Sequence, residues 1–385
     1  MLFDPRRIAV ALAGFGAFVN LYAPQSVLPL LAEEFGVGAA RAGMLVTATT
    51  LAVALVAPFT GVVADVLGRK RVITAASFML VLPTLAAALA PSLDALIAWR
   101  FVQGLLLPPI FAVTVAYIGD EWPAGEATGA VGLYIAASGF GGFFGRFMTG
   151  AMADVFGWRN GFLALAALTL GLAVGIAVLL PPERRFAGSE GFRASAARML
   201  RHLRRPPLLA TYGIGFGVLF AFVATFTYVN FHLAAPPFGL SPTALGSIFV
   251  VYLLGSVVTP LTGRAVARFG RRALVLGLIG VWLCGLALTL APSLPAIVVG
   301  LGVTAACGFV CQAVSTSFVA VTAGEGRSSA VGLYVTCYYI GGSVGGALPG
   351  LAWHAAGWPG CVATVAAVLL VMAVLVRRFW RQPAG

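Results

Sequence analysis

The chain has 385 residues, of which 60% are hydrophobic and 9% are charged, and its mean hydropathy is +1.00. A soluble core cannot bury this much apolar surface, so the composition excludes a soluble globular protein and predicts an all-α membrane protein. The net charge of +12 comes from basic residues placed between apolar segments. This pattern indicates membrane topology, and no nucleic-acid partner is needed to explain it.

The apolar residues form twelve predicted spanning segments of about 20 to 25 residues each. The first follows Arg6-Arg7 and continues to about Leu31 without a small-residue cleavage site. We therefore predict a retained helix rather than a cleaved signal peptide. The prolines between Pro24 and Pro29 predict a bend in this helix.

The turn between the second and third segments combines glycines, one acid and three basic residues, in the order Gly61-Val-Val-Ala-Asp65-Val-Leu-Gly68-Arg69-Lys70-Arg71. We expect Gly61 to permit close helix approach and Gly68 to permit a tight turn. Asp65 and Arg69 are expected to pair and to hold this side of the protein closed in one state.

The fourth segment contains Arg100 and Gln103, which share one face of a helix. An arginine inside a membrane segment is costly, so Arg100 is a functional candidate by default. The alternative is a structural arginine that extends its side chain to the outer interface.

The fifth segment begins with Ala130-Val-Gly-Leu-Tyr134, which recurs 200 positions later as Ala330-Val-Gly-Leu-Tyr334. The glycines that follow keep the same spacing in both copies. Arg146 lies among them, at about the depth of Arg100. It has three possible roles: to bind an anionic substrate group, to stabilise the outer gate, or to pair with a carboxylate.

The repeat predicts two parallel six-helix halves, related by an axis along the membrane normal. We assign residues 1–180 and 208–385 to the halves and residues 181–207 to a basic linker. Within the linker, apolar residues at helical spacing predict an interfacial helix on anionic lipid headgroups; a solvated linker is the alternative. Most basic residues fall on one side, which predicts a multi-pass protein of the cell (inner) membrane with both termini cytoplasmic.

No acidic residue is predicted at the middle of the membrane. Candidates for a proton-carrying group are therefore restricted to residues near the outer ends of segments, namely Glu33, Glu34, Asp154, His232 and His354. Each has an alternative role as an ordinary loop or interface residue.

These motifs resemble those of the major facilitator superfamily, and the resemblance covers essentially the whole chain. The turn around Asp65 is similar to motif A, the Arg100 segment to motif B, and the glycines around Arg146 to the antiporter motif C, although Arg146 replaces that motif's proline. Within the superfamily, Gly145-Arg146, Asp154 and Trp158-Arg159 look like the corresponding residues of the YnfM-type efflux permeases, a branch related to arabinose and drug exporters. The resemblance implies a central cavity lined by segments one, four, seven and ten. Candidate lining residues are Asn20, Tyr22, Gln25, Gln103, Tyr228, Asn230 and Gln312.

The resemblance implies a monomeric secondary transporter that exports a small sugar-like or drug-like solute by alternating access, coupled to protons. An organic-anion permease or exchanger that uses Arg100 and Arg146 is an alternative, and a lipid flippase or scramblase is another. An enzyme is disfavoured because the three histidines are scattered and no nucleophile or metal-ligand cluster is present in the sequence. No cofactor or metal is expected.

Overall fold

The computed structural model describes residues 4–183, 201–324 and 327–380. These residues form helices joined by short turns, without a strand among them. The α-helices are α1 Pro5–Leu21, α2 Leu28–Glu34, α3 Ala39–Leu67, α4 Arg69–Ala88, α5 Leu93–Glu121, α6 Ala124–Phe156, α7 Trp158–Leu179, α8 Pro206–Ala234, α9 Pro242–Ile248, α10 Leu253–Val258, α11 Thr262–Phe269, α12 Arg271–Leu288, α13 Leu294–Thr322, α14 Arg327–Ala347 and α15 Pro349–Phe379. The predicted interfacial helix of the linker falls mainly on residues outside the described ranges.

Eleven helical stretches in the described part of the chain are long and apolar enough to cross a membrane. The first of these, Pro5–Glu34, contains α1 and α2, and the eighth, Pro242–Phe269, contains α9 to α11. The prediction had twelve spans. The twelfth predicted span corresponds to α14. With 21 residues this helix is long enough to cross a membrane, but it is less apolar than its neighbours because it carries more serine, threonine and tyrosine.

Glycines with positive φ separate consecutive helices at equivalent places in the two repeats. Gly68 has φ 90° between α3 and α4, and Gly270 has φ 74° between α11 and α12. Gly157 has φ 83° between α6 and α7, and Gly357 has φ 60° at a kink inside α15. Other residue types adopt this left-handed region only at a cost, so the glycines end one helix and start the next. The turn expected at Gly68 is present.

The described helices fall into two compact units. The first contains Met1–Val37, Ala48–Glu190 and Gly239–Phe249, and the second contains Gly38–Thr47, Gly191–Phe238 and Val250–Gly385. Two short segments thus group with the unit made mainly from the other repeat: residues 38–47 with the second unit, and residues 239–249 with the first. Within the first unit, α4 packs on α5 and α7, and within the second unit, α12 packs on α13 and α15.

The glycine ladder packs two helices together in each unit. In the first unit, Gly141 and Gly145 of α6 lie directly against the backbone of Phe15 and Val19 in α1. A side chain at either glycine would collide with that backbone, so the close approach requires glycine. In the second unit, Gly341 and Gly345 of α14 lie in the same way against Phe216 and Phe220 of α8.

Candidate functional site

The first membrane segment is interrupted where its prolines predicted a bend. Helix α1 ends at Leu21, a 3-10 turn covers Ala23–Val27, and α2 begins at Leu28. Every residue of the turn is buried. The last carbonyl groups of α1 have no partner within the helix, so side chains from other helices must satisfy them.

Arg100 of α5 supplies those partners. Its guanidinium is fully buried and donates from Nη1 to the carbonyl oxygen of Asn20 at 2.9 Å and from Nη2 to that of Leu21 at 2.5 Å. A cation at the negatively charged end of a helix is favourable. Arg100 therefore does not extend to an interface: it caps α1 at the break.

A chain of polar side chains continues from Arg100 through the interior of the first unit. Arg100 donates to Oε1 of Gln103 at 2.5 Å, and Gln103 donates to Oγ1 of Thr84 at 2.8 Å. Asn20 donates to Oγ1 of Thr169 at 3.0 Å and accepts from Thr84 at 3.3 Å. Thus Asn20 and Gln103, expected to line a cavity, bind α4 and α7 of their own unit. Thr84 and Thr169 were not predicted, because isolated threonines in apolar helices carry little signal.

Arg146 of α6 contacts the other side of the break. Its side chain is buried, and Nε donates to Oε1 of Gln25 at 2.7 Å. Nη1 donates to the carbonyl oxygen of Gly142, one turn earlier in α6. The guanidinium carbon lies over the rings of Tyr22 at 4.8 Å and Phe249 at 4.4 Å. A desolvated cation over an aromatic face is stabilised by about 2 kcal/mol. These contacts attach the Arg146 side chain to the break in the first segment.

Hydroxyl groups attach the 3-10 turn to the backbone of α6. Ser26 donates to the carbonyl oxygen of Arg146 at 2.7 Å, and Thr149 donates to that of Ala23 at 2.7 Å. Both bonds are buried, where a hydrogen bond is costly to break. The broken helix and α6 therefore form one polar contact region around Arg146.

The short helix α9 packs on α6 just beyond Arg146. Asp154 accepts hydrogen bonds from Oγ of Ser241 and from the backbone N of Thr243, both at 2.9 Å. A carboxylate at a helix N-terminus is favourable because the backbone N–H groups there lack partners. Gly150 and Gly246 lie against the backbone of the facing helix. This contact involves residues from both repeats, and all of it belongs to the first unit.

The second unit has a different arrangement at the equivalent place, because Gly346 occupies the position of Arg146. The hydroxyl of Tyr228 donates to the carbonyl oxygen of Gly346 at 2.8 Å, and Thr47 donates to that of Ser343 at 2.9 Å. Asn230 donates to the carbonyl oxygen of Phe226 in its own helix at 2.6 Å.

The residues of the second unit that were predicted to line a cavity differ in burial. Tyr228 and Asn230 are buried, whereas Gln312 is half-buried.

The turn resembling motif A contains the expected ion pair and one more acid. Arg69 lies 3.9 Å from Asp65 and 2.5 Å from Asp120 at the end of α5. Asp120 was not predicted as a partner, since only the tertiary structure brings the end of α5 to this turn. The close approach expected at Gly61 is absent: apart from its chain neighbours and the backbone of its own helix, no described atom lies within 4 Å of the position of a Cβ there.

The titratable residues near the predicted outer ends have separate surroundings. Glu34 accepts from Trp158 at 2.5 Å and pairs with Arg159 at 2.7 Å. His232 stacks on Trp358 with ring centroids 5.8 Å apart. Glu33 and His354 are exposed. Of the five candidates, Asp154 is the one that holds the α9 end against α6.

This fold and these motifs define a class of membrane transporter. The Major Facilitator Superfamily model matches residues 10–236 and 221–385. The chain belongs to the major facilitator superfamily, whose members move small solutes across membranes and are transporters rather than enzymes.

Two bacterial relatives match nearly the whole chain. It is 32% identical over 373 residues to the inner membrane transport protein YnfM of Escherichia coli (strain K12), covering 96% of this chain and 89% of that protein. It is 29% identical over 360 residues to the uncharacterized MFS-type transporter YybF of Bacillus subtilis (strain 168), covering 93% and 89% respectively. The resemblance inferred from the motifs is thereby confirmed.

Solved structures with lower sequence identity have the same fold. The D323A mutant of the nucleoside transporter NupG superposes with a TM-score of 0.79 at 16% identity, covering 97% of this chain and 100% of that one. The human organic anion transporter MFSD10 gives a TM-score of 0.70 at 19% identity, again covering 97% and 100%. At these identities the likeness establishes the fold and leaves the substrate open.

Proposed function

We propose that this transporter exports a small sugar-like or drug-like organic solute across the cell membrane in exchange for protons. Its halves, residues 1–180 and 208–385, would rock about a central site while residues 181–207 connect them on the cytoplasmic side, where both termini also lie. The similarity to an inner membrane transport protein supports this location. The resemblance to efflux permeases supports the outward direction.

The contact of Asp154 with α9 is the observation that carries the proposal. This carboxylate accepts hydrogen bonds from Ser241 and from the N-terminus of α9. It therefore connects α6, in the first repeat, to the start of the eighth membrane segment of the chain, which belongs to the second repeat. In this proposal the predicted outer side opens when this contact breaks. Protonation would remove the negative charge, weaken both hydrogen bonds and release α9.

This step gives an order of events for exchange. A proton arriving from the outer side neutralises Asp154, the outer side opens, and the solute leaves. The contact forms again only after the carboxylate has lost its proton, and exchange requires that this proton leaves on the cytoplasmic side. Arg100 and Arg146 hold the break in the first segment in shape, and we assign them a coupling role through that break.

An organic-anion permease or exchanger is a second candidate, favoured by one observation. Arg100 is fully buried, and within the described part of the chain no carboxylate lies within 4.0 Å of it. A buried guanidinium that has only neutral partners can attract an anion. The human organic anion transporter shares the fold alone, so it adds no support for this substrate class.

Reconstitution into liposomes with an imposed pH gradient separates these candidates. A panel of sugars, organic anions and cationic drugs should contain a solute whose movement drives protons the other way. The Asp154→Asn variant should then move solute without a dependence on the pH gradient, while Glu33→Gln, an exposed acid at the same predicted end, should behave like the wild type. Solute-driven proton movement that persists in Asp154→Asn would refute the assignment of Asp154. Transport restricted to anions and independent of the gradient would favour the second candidate.

A further inference from the structure

A groove between α12 and α15 lies away from the polar contacts described above. It has a volume of about 540 Å³ and is lined by Arg272, Ala273 and Leu276 of α12 and by Leu370, Ala373, Val374 and Arg377 of α15. All of these residues belong to the second unit. We propose that this groove binds one anionic phospholipid, with the headgroup phosphate on Arg272 and Arg377 and an acyl chain along the apolar part.

The two arginines meet at one end of the groove. Nη2 of Arg272 donates to the carbonyl oxygen of Arg377 at 2.8 Å, which places the two residues side by side. Arg272 is half-buried and Arg377 is exposed, so both side chains are accessible from outside the protein. Within the described residues, neither has a carboxylate within 4.0 Å. Two arginines without acidic partners form a site that fits a phosphate monoanion.

The rest of the groove is apolar and follows the helix axes. Leu370, Ala373, Val374 and Arg377 occur at the spacing of one helix face, so the lining extends about 10 Å from the arginines. Ala273 and Ala373 have small side chains and leave room between the helices. Leu370 is 56% exposed and Val374 is 62% exposed, as expected of side chains that contact acyl chains. A small soluble anion would contact the arginines but not this apolar lining.

The position of the arginines also matches that of a lipid headgroup. Arg272 is the second residue of α12, and Arg377 lies in the last turn of α15. Both therefore lie at the helix ends that the distribution of basic residues predicts to be cytoplasmic. Anionic lipids of that leaflet attract arginines near the surface by about 1 kcal/mol each. The groove thus combines the charge, the depth and the apolar length that a phospholipid requires.

The test uses the full-length protein, purified in detergent and stripped of lipid. Binding of phosphatidylglycerol is measured by native mass spectrometry and by the rise in apparent melting temperature, with phosphatidylcholine and inorganic phosphate as separate arms. We expect phosphatidylglycerol to bind preferentially. Its affinity should fall roughly fivefold in Arg272→Gln or Arg377→Gln and roughly 25-fold in the double variant.

Two further variants keep the proposal falsifiable. Ala373→Trp fills the apolar part and keeps both arginines, so it should abolish lipid binding. Arg264→Gln removes an exposed arginine of α11 that does not line the groove and should have no effect. The unliganded melting temperature of each variant shows whether it folds. The proposal is overturned if phosphatidylcholine binds equally well, if Arg264→Gln weakens binding as much as Arg272→Gln, or if inorganic phosphate binds as tightly and Ala373→Trp changes nothing.

Discussion

Nε of Arg146 donates to Oε1 of Gln25 at 2.7 Å, and this bond joins α6 to the 3-10 turn that interrupts the first membrane segment. Arg100 binds the preceding carbonyl groups of Asn20 and Leu21 from the other side. The two buried arginines therefore hold one break in one helix. Both act on the first unit, and the second unit has Gly346 where Arg146 would be.

Arg146→Lys should lower the free energy of unfolding by about 2 kcal/mol, although the charge is kept. The planar guanidinium of Arg146 donates to Gln25 and Gly142 while its face lies over the rings of Tyr22 and Phe249. A lysine ammonium is a compact group without a planar face and cannot make all of these contacts at once. The apparent melting temperature of the purified protein measures the loss, and transport in liposomes should fall with it. Arg264→Lys, on an exposed face, is the matched control. Equal melting temperatures for Arg146→Lys and the wild type would contradict the contacts described for this guanidinium.

Gly145→Ala should destabilise the protein by about 1 to 3 kcal/mol, because the new methyl group meets the backbone of Val19. Gly132 lies in the same helix, and a Cβ there would have no described atom within 4 Å except in its chain neighbours and its own helix backbone, so Gly132→Ala should be neutral or slightly stabilising. Thermal unfolding of both variants in the same detergent makes the comparison. A loss of the same size at Gly132 would indicate that helix α6 responds to any substitution rather than to its contact with α1.

Asp120→Asn should reduce transport more than Asp65→Asn. Arg69 lies 2.5 Å from Asp120 but 3.9 Å from Asp65, so the stronger ion pair joins the turn to the end of α5. Initial transport rates in liposomes measure both. The charge exchange Arg69→Asp with Asp120→Arg should restore part of the activity. A larger loss of transport rate in Asp65→Asn than in Asp120→Asn would mean that transport depends more on the ion pair within the turn.

Ser241→Ala should weaken the contact between α9 and α6 without removing the titratable group. Asp154 would keep its bond to the backbone N of Thr243 and lose the one from Ser241. We expect transport that still depends on the pH gradient but has a changed dependence on external pH, because one hydrogen bond to Asp154 instead of two then holds α9. Transport rates over a range of external pH provide the measurement. An unchanged pH profile would show that the hydrogen bond from Ser241 does not contribute to proton coupling.

The amino-acid sequence by itself determined the class of protein and its repeated architecture. Three patterns are local or periodic: apolar segments of membrane length, basic residues between them, and glycines at constant spacing. They can be recognised in the sequence without knowing which side chains are in contact. The same holds for the turn at Gly68 and the break near Pro24, since both follow from the backbone preferences of single residues.

Only the tertiary structure decided what the polar residues do. Asn20 and Gln103 were expected to line a cavity, and the structure shows that they bind Thr84 and Thr169 within their own unit. Asp120 pairs with Arg69 across 51 positions of sequence, and Asp154 binds Ser241 across 87. A buried polar side chain must find a partner, but which partner depends on how the helices are rotated and packed. That rotation is set by long-range contacts, which leave no periodic pattern in a single sequence.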